Sequence, residues 1–120
     1  MENKEVKAKV KVELPVGVSQ EMVDAWRERY GQDKVKIAFL PMDDDGNEYK
    51  EVIVRVPDRK TISEVEKWLD KAPDKAKEIM INACLLSHKE EVKADDGLFF
   101  GAVDAITKLM PIRSAIVKNL

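Results

Sequence analysis

The chain has 120 residues, with 21 lysines and arginines against 23 aspartates and glutamates, and its net charge is −2. A chain of this length is expected to fold as one domain that buries roughly two-thirds of the surface exposed by its unfolded form. The balanced charge excludes binding of nucleic acid or of an anionic membrane through a strong overall positive field. The single cysteine excludes an intrachain disulfide.

The N-terminal residues alternate lysine with valine or alanine and contain no continuous apolar segment, so no signal peptide is expected. No apolar stretch of the sequence approaches the length that spans a membrane. We therefore predict a cytoplasmic protein that has no membrane or nucleic-acid partner.

The first half of the chain alternates apolar and polar residues as strands do. Segment 6–14 predicts a strand whose apolar face is Val6, Ala8, Val10 and Val12 and whose polar face is Lys7, Lys9 and Lys11. Ser19 can cap a helix that carries apolar residues at helical spacing and ends at Gly31. Segments 34–40 and 48–56 alternate again, and the Asp-Gly turn chemistry between them predicts an antiparallel hairpin.

The second half of the chain changes to a helical period. Four short helices are predicted. A capping box of Thr61 with Glu64 begins the first, and Pro73 lies in the first turn of the second, which runs to about Leu86. Asp95 or Asp96 caps the third, and Pro111 separates it from the last helix, residues 112–120. The fold class is α+β: a small, mostly antiparallel sheet of three strands with one N-terminal helix, followed by four short C-terminal helices. Its β-rich part (1–57) and helical part (58–120) are predicted as two layers of a single domain, 1–120.

The only cysteine and the only histidine, Cys84 and His88, lie four residues apart in "INACLLSHKEE", a spacing that places two side chains on one face of a helix. A metal site needs further cysteine or histidine ligands, and a nucleophile needs a third group to orient its base. Apolar residues surround Cys84 on the predicted helix, where a thiol is buried and inert. We therefore interpret Cys84 as a core residue and His88 as a helix-end residue, and predict no catalytic, metal or cofactor site.

Two charged segments have functional alternatives. The acidic segment 43–47 fails as a calcium loop, because aligning Gly46 with the loop glycine puts Pro41 and Val52 at ligand positions; we interpret it as a solvated turn. Arg59 and Lys60 precede a predicted helix N-terminus, where an anion can dock. These basic residues are not interleaved with aromatic residues as in a surface that stacks nucleic-acid bases.

The predicted helix after Asp95 carries a core face made of Leu98, Phe99, Ala102, Val103, Ile106, Leu109 and Met110. Phe100 points the other way, beside Asp104 and Thr107. A phenyl ring on a polar face is either covered by the tail or the sheet, or it contacts a partner.

The order of these C-terminal motifs resembles the tail assembly chaperones of long-tailed, siphophage-type phages and prophages. The resemblance covers about residues 48–120 and rests on "EVIVRVPDRKT", on a central helix with "EIMINACLLS", and on "DDGLFFGAVDAITKLMPIRSAIVKNL". It implies a non-enzymatic protein that binds the hydrophobic tape measure protein and keeps it soluble until tail tube subunits polymerise around it. It also implies self-association, which several members of the family show.

If the resemblance holds, the client-binding residues are expected to be Phe100 with Ile112, Ile116 and Val117 of the last predicted helix. The alternative is a small α+β accessory or regulatory module that binds a protein partner through its sheet. In that case Lys7, Lys9 and Lys11 are expected to contribute to binding.

Overall fold

The computed structural model describes residues 13–110 and 115–120. In this part of the chain, two strands and five helices follow one another as α1 (Gln20–Tyr30), β1 (Val35–Pro41), β2 (Tyr49–Arg55), α2 (Arg59–Trp68), α3 (Pro73–Cys84), α4 (Lys89–Ala94) and α5 (Asp96–Lys108). The two strands form one antiparallel sheet. The α+β class is therefore confirmed, with two described strands rather than three.

The strands β1 and β2 form the predicted hairpin, in which Val35 pairs with Arg55 and Pro41 pairs with Tyr49. In the connecting turn, the Asn47 N–H donates to Asp43 Oδ1 over 2.9 Å. Gly46 has a φ of 69°, a left-handed conformation that glycine adopts without steric cost. The acidic segment is thus a solvent-exposed turn, as predicted.

Helices cover both faces of the sheet. One face contributes to the main core, which is shared with α2 to α5 and includes Ala38, Leu40, Val52 and Val54. On the other face, Ile53 packs with Val18 and with Val23 of α1. The main core therefore contains residues from both the strand-rich half and the helical half of the chain.

The N-terminal prediction is confirmed for the helix but not for the strand. The Met22 N–H donates to Ser19 Oγ over 3.2 Å, so Ser19 caps α1 as expected. Most of the predicted strand 6–14 lies outside the described residues, and its last two residues, Glu13 and Leu14, are not in a strand.

The predicted capping box at Thr61 is wrong, because the helix begins earlier. Asp58 is the N-cap of α2, and its Oδ1 accepts a hydrogen bond of 2.8 Å from the Thr61 N–H. Thr61 instead lies buried in the first turn, where its hydroxyl accepts from Arg55. Asp58 has an extended backbone and is a residue type favoured at the N-cap, so it takes the cap position.

Helix α3 begins at Pro73 as predicted, but it ends at Cys84 rather than at Leu86. The next two residues run alongside β2, where Leu85 forms a bridge with Val54 and the Leu86 N–H donates to the Ile53 carbonyl over 2.8 Å. These contacts pair backbone groups on the edge of β2 that faces away from β1. Because buried backbone groups need hydrogen-bond partners, the chain extends along β2 here and the helix ends.

The C-terminal helices differ from the prediction in two places. Residues 89–94 form α4, which the apolar pattern did not predict because a six-residue helix shows less than two turns of periodicity. Lys50 Nζ lies 2.6 Å from Glu91 Oε2 and ties α4 to the sheet. The predicted last helix is wrong for residues 115–120, which are exposed and without regular structure, while residues 111–114 lie outside the described part.

Candidate functional site

The structure separates the two residues that the sequence placed on one helix face. Cys84 is the last residue of α3 and is fully buried, and burial raises the pKa of its thiol to about 11. His88 lies beyond the helix end and has a φ of 55°. The interpretation of Cys84 as a core residue is confirmed.

The His88 ring links the N-terminal segment to the sheet. Its Nε2 lies 2.9 Å from the Val16 carbonyl oxygen, and its Nδ1 lies 2.8 Å from Ser87 Oγ. Because a carbonyl only accepts, Nε2 carries the donated hydrogen, and in the neutral ring Nδ1 accepts from the Ser87 hydroxyl. The same hydroxyl oxygen accepts from the Ile53 N–H over 2.8 Å. Thus His88 serves a structural role at this position.

We expect the Cys84 thiol to resist labelling in the folded protein. The thiolate is the reactive form, and with a pKa of about 11 the thiol stays protonated at about pH 8. Absorbance with a disulfide reagent should show no reaction under native conditions and one thiol per chain in denaturant. Rapid labelling without denaturant would contradict this account and revive a nucleophilic role for Cys84.

Within residues 13–110 and 115–120, no three His, Cys, Asp or Glu side chains are grouped so that they could hold a metal ion. In the same residues, no helix combines the length and the apolar character needed to cross a membrane.

A mainly apolar cleft of about 440 Å³ lies between α2, α3 and α5. Its apolar walls come from Ile62 and Val65 of α2, from Leu69 just after α2, from Met80 of α3 and from Met110 just after α5. Glu66 and Thr107 are the polar residues of the lining. Leu69 is 51% exposed although it follows directly on α2. The cleft thus presents apolar surface that the described residues leave accessible.

The hydroxyl of Thr107 at this cleft is already engaged within the protein, and the Glu66 carboxylate is exposed. The Thr107 hydroxyl donates to the Val103 carbonyl over 2.7 Å, so it does not require a partner in the cleft. Met80 is unbranched and polarisable, and such a side chain adapts to differently shaped partners. The site can therefore accept an apolar group without leaving a buried polar atom unpaired.

Phe100 lies on the same side of α5 as Thr107, because seven residues correspond to two helical turns. Its ring is 53% exposed; it contacts Phe99 edge-on at a centroid distance of 5.6 Å, and Lys77 Nζ lies 5.2 Å from its centroid. Phe100 is thus a further exposed apolar group on this side of α5, outside the lining of the cleft.

The other residues predicted to bind a partner are not brought together with Phe100 in the described structure. Ile116 and Val117 are exposed in the C-terminal segment, and Ile112 lies outside the described residues. Their role in binding stays a prediction.

A second, polar cleft of about 300 Å³ was not anticipated from the sequence. It is lined by Arg29, Tyr30, Lys34, Arg55, Val56, Pro57 and Asp58. Arg59 and Lys60 had indicated an anion near this helix start, but the residues that line the cleft come from α1, the following loop, β2 and the N-cap of α2. No local sequence pattern joins such distant positions.

Arg55 is the central residue of this second cleft and is only 9% exposed. Its Nε donates to the Ala83 carbonyl over 2.7 Å, and its guanidinium carbon lies 4.6 Å from the centroid of the Tyr30 ring. Hydrogen bonding from the Thr61 N–H and then from the Thr61 side chain, with a smaller effect of the charge of Arg55, holds the pKa of Asp58 below its usual value.

In comparisons with known proteins, no family model, no curated protein and no solved structure matches this chain.

Proposed function

We propose that this protein is a non-enzymatic tail assembly chaperone of a phage or prophage, which binds and solubilises the tape measure protein before the tail tube polymerises. The observation that supports the proposal is the apolar cleft between α2, α3 and α5, with Phe100 on the same side of α5. The motif order described above supplies the identity of the client.

The dimensions of this surface suit an amphipathic helix. Thr107 at the cleft and Phe100 are seven residues apart on α5, which corresponds to about 10 Å along the helix axis. A client helix presents apolar anchors at the same spacing of i and i+7, so one anchor can enter the cleft while another contacts Phe100. A hydrophobic, helix-rich tape measure protein offers many such anchors.

The rim of the surface is polar, as in other protein interfaces that form around an apolar centre. Glu66 and Thr107 line the cleft, and Lys77 lies beside Phe100. These groups stay hydrated when no client is present and can hydrogen-bond to the polar edge of a client helix.

We expect Phe100→Ala to weaken retention of the tape measure protein in a pull-down by about tenfold, since an aromatic anchor at an interface is worth roughly 1–2 kcal/mol or more. The melting temperature should change little, because the ring is 53% exposed. Both quantities are measured on the same purified variants.

Phe39→Ala is the matched control for this prediction, because Phe39 is also partly exposed, at 38%, but lies on β1. It should bind the client as the wild type does. A large fall in the melting temperature of Phe100→Ala with unchanged binding would show that Phe100 is a core residue instead.

The open edge of β1 favours the second candidate, a module that binds its partner through the sheet. In the described part of the chain the sheet has two strands, and β2 lies on only one side of β1. Along an antiparallel strand, successive residues direct their backbone N–H and C=O groups alternately toward and away from the partner strand. In β1, the groups of Val35, Ile37 and Phe39 point away from β2. An extended segment, including the predicted third strand 6–14, could pair there.

Charge reversal of Lys7, Lys9 and Lys11 separates the two candidates. If the protein is a chaperone, the triple variant should bind the client as the wild type does. If the protein binds its partner through the sheet, the triple variant should lose that binding. Sedimentation of the same samples tests whether the protein self-associates.

A further inference from the structure

Three cationic side chains converge on the polar cleft. Arg29 comes from the end of α1, Lys34 from the following loop and Arg55 from the end of β2, and Asp58 is the one carboxylate among the lining residues. The whole chain has a net charge of −2. The excess of positive charge is therefore a local property of this cleft.

The charge of Arg55 is only partly compensated by the protein. Its Nη1 lies 3.7 Å from Asp58 Oδ2, which is too long for a hydrogen bond, and Asp58 Oδ1 already accepts from the Thr61 N–H. The nearer partners of the guanidinium, the Ala83 carbonyl and the Thr61 hydroxyl, are neutral. A nearly buried guanidinium has five N–H donors and is stabilised by an anion that approaches the remaining ones.

The loop after α1 places Lys34 beside this guanidinium. Gly31 has a φ of 121°, and the Lys34 N–H donates to its carbonyl over 3.2 Å. A Cβ on residue 31 would lie 2.9 Å from Lys34 Cγ, so glycine allows the lysine stem to fold back over the loop. The stem of Lys34 therefore packs against Gly31, and the side chain lines the cleft.

The Tyr30 ring contacts both arginines that line the cleft. The guanidinium carbons of Arg29 and Arg55 lie 5.3 Å and 4.6 Å from its centroid, within the range of cation–π attraction. The ring, together with Val56 and Pro57, also gives the cleft an apolar wall.

We propose that this cleft binds a phosphate group carried by a small molecule. Two guanidinium groups and an ammonium group match the charge and the several acceptor oxygens of a phosphate dianion. The N-terminus of α2 opens at the same place, since its N-cap Asp58 lines the cleft, and its dipole adds to the positive potential. The volume of about 300 Å³ exceeds that of a phosphate alone and leaves room for the rest of the ligand along the apolar wall.

Titration calorimetry at about pH 7.5, where a phosphate monoester is mainly dianionic, tests this proposal. The probes are inorganic phosphate, glucose 6-phosphate, adenosine monophosphate and acetate, each added at constant ionic strength set with sodium chloride. Saturable binding of phosphate is expected, with tighter binding of at least one of the two organic phosphates and no binding of acetate.

Lys34→Gln is expected to weaken phosphate binding about tenfold, the usual loss for one charge-assisted hydrogen bond. Lys36→Gln is the matched control, because Lys36 is exposed on β1 two residues away and does not line the cleft. Arg29→Gln provides a second variant at the cleft, and melting temperatures verify that all three variants are folded.

Three results would overturn the proposal: no saturable binding of any phosphate, equal binding by the Lys34→Gln and Arg29→Gln variants and the wild type, or equal binding of acetate and phosphate. If inorganic phosphate alone binds, the cleft takes free phosphate and the assignment to an organic phosphate is wrong. None of these measurements requires the tape measure protein, so their outcome is separate from that of the chaperone proposal.

Discussion

Leu85→Ala is expected to lower the free energy of unfolding by about 3–4 kcal/mol, because removing a fully buried leucine side chain costs both transfer free energy and a cavity. Leu85 is 0% exposed, and it lies where the chain leaves α3 and forms a bridge with Val54 of β2. The side chain therefore contributes to the core at the junction of sheet and helices. Urea unfolding followed by circular dichroism gives the free-energy difference.

Leu69→Ala is the control for this measurement. The same atoms are deleted from a side chain that is 51% exposed, so the expected loss is below about 1 kcal/mol. Equal losses for the two variants would contradict the described packing around Leu85.

Arg55→Ala is expected to destabilise the protein by about 2–4 kcal/mol, although it removes a charge that is only partly compensated. The variant leaves the Ala83 carbonyl and the buried Thr61 hydroxyl without their donor, and it removes the group packed against the Tyr30 ring. Thermal unfolding in chloride buffer without phosphate isolates this effect from any ligand.

Arg29→Ala is the matched control, since Arg29 is exposed and its contact with Tyr30 is longer, at 5.3 Å. It should change the unfolding free energy by about 0.5 kcal/mol or less. Arg55→Lys should fall between wild type and Arg55→Ala, because an ammonium group keeps the charge but lacks the planar fork that reaches both acceptors. An Arg55→Ala variant as stable as the wild type would show that this network does not hold the sheet and helices together.

Local signals in the sequence were sufficient for the elements whose ends they mark. Ser19 caps α1, the Asp-Gly turn closes the hairpin, and Pro73 begins α3, as predicted. In each case, the deciding interaction involves residues within a few positions of one another. Phe100 also lies on the side of its helix that the apolar pattern predicted, with its ring partly exposed.

Interactions between distant residues explain the predictions that were wrong. The apolar residues after Cys84 continue a helical pattern, but hydrogen bonds with Ile53 of β2 extend the backbone there. Asp58 rather than Thr61 caps α2, and the Thr61 hydroxyl that was predicted to cap the helix accepts a hydrogen bond from Arg55 of β2 instead. The spacing of apolar residues reflects one segment at a time, so it gives no information about hydrogen bonds between distant segments.

The two clefts differ in how far the sequence could indicate them. The apolar cleft depends on the contact between α2 and the end of α5, which is set by helix packing and not by a local pattern in the sequence. The polar cleft joins Arg29, Lys34 and Arg55, which are separated by up to 26 positions. Its residues become a site only when β2 places Arg55 beside the end of α1.

The soluble fraction of the tape measure protein, measured by co-expression from the same genome with and without this chain, tests the central claim most directly. Leu69→Asp, which puts a carboxylate into the apolar cleft, is compared with Leu14→Asp, which makes the same change at an exposed leucine that does not line the cleft. The account predicts that the wild type and Leu14→Asp keep the tape measure protein soluble and co-purify with it, whereas Leu69→Asp does not. Precipitation of the tape measure protein in the presence of wild-type chain, or full rescue by Leu69→Asp, would contradict it.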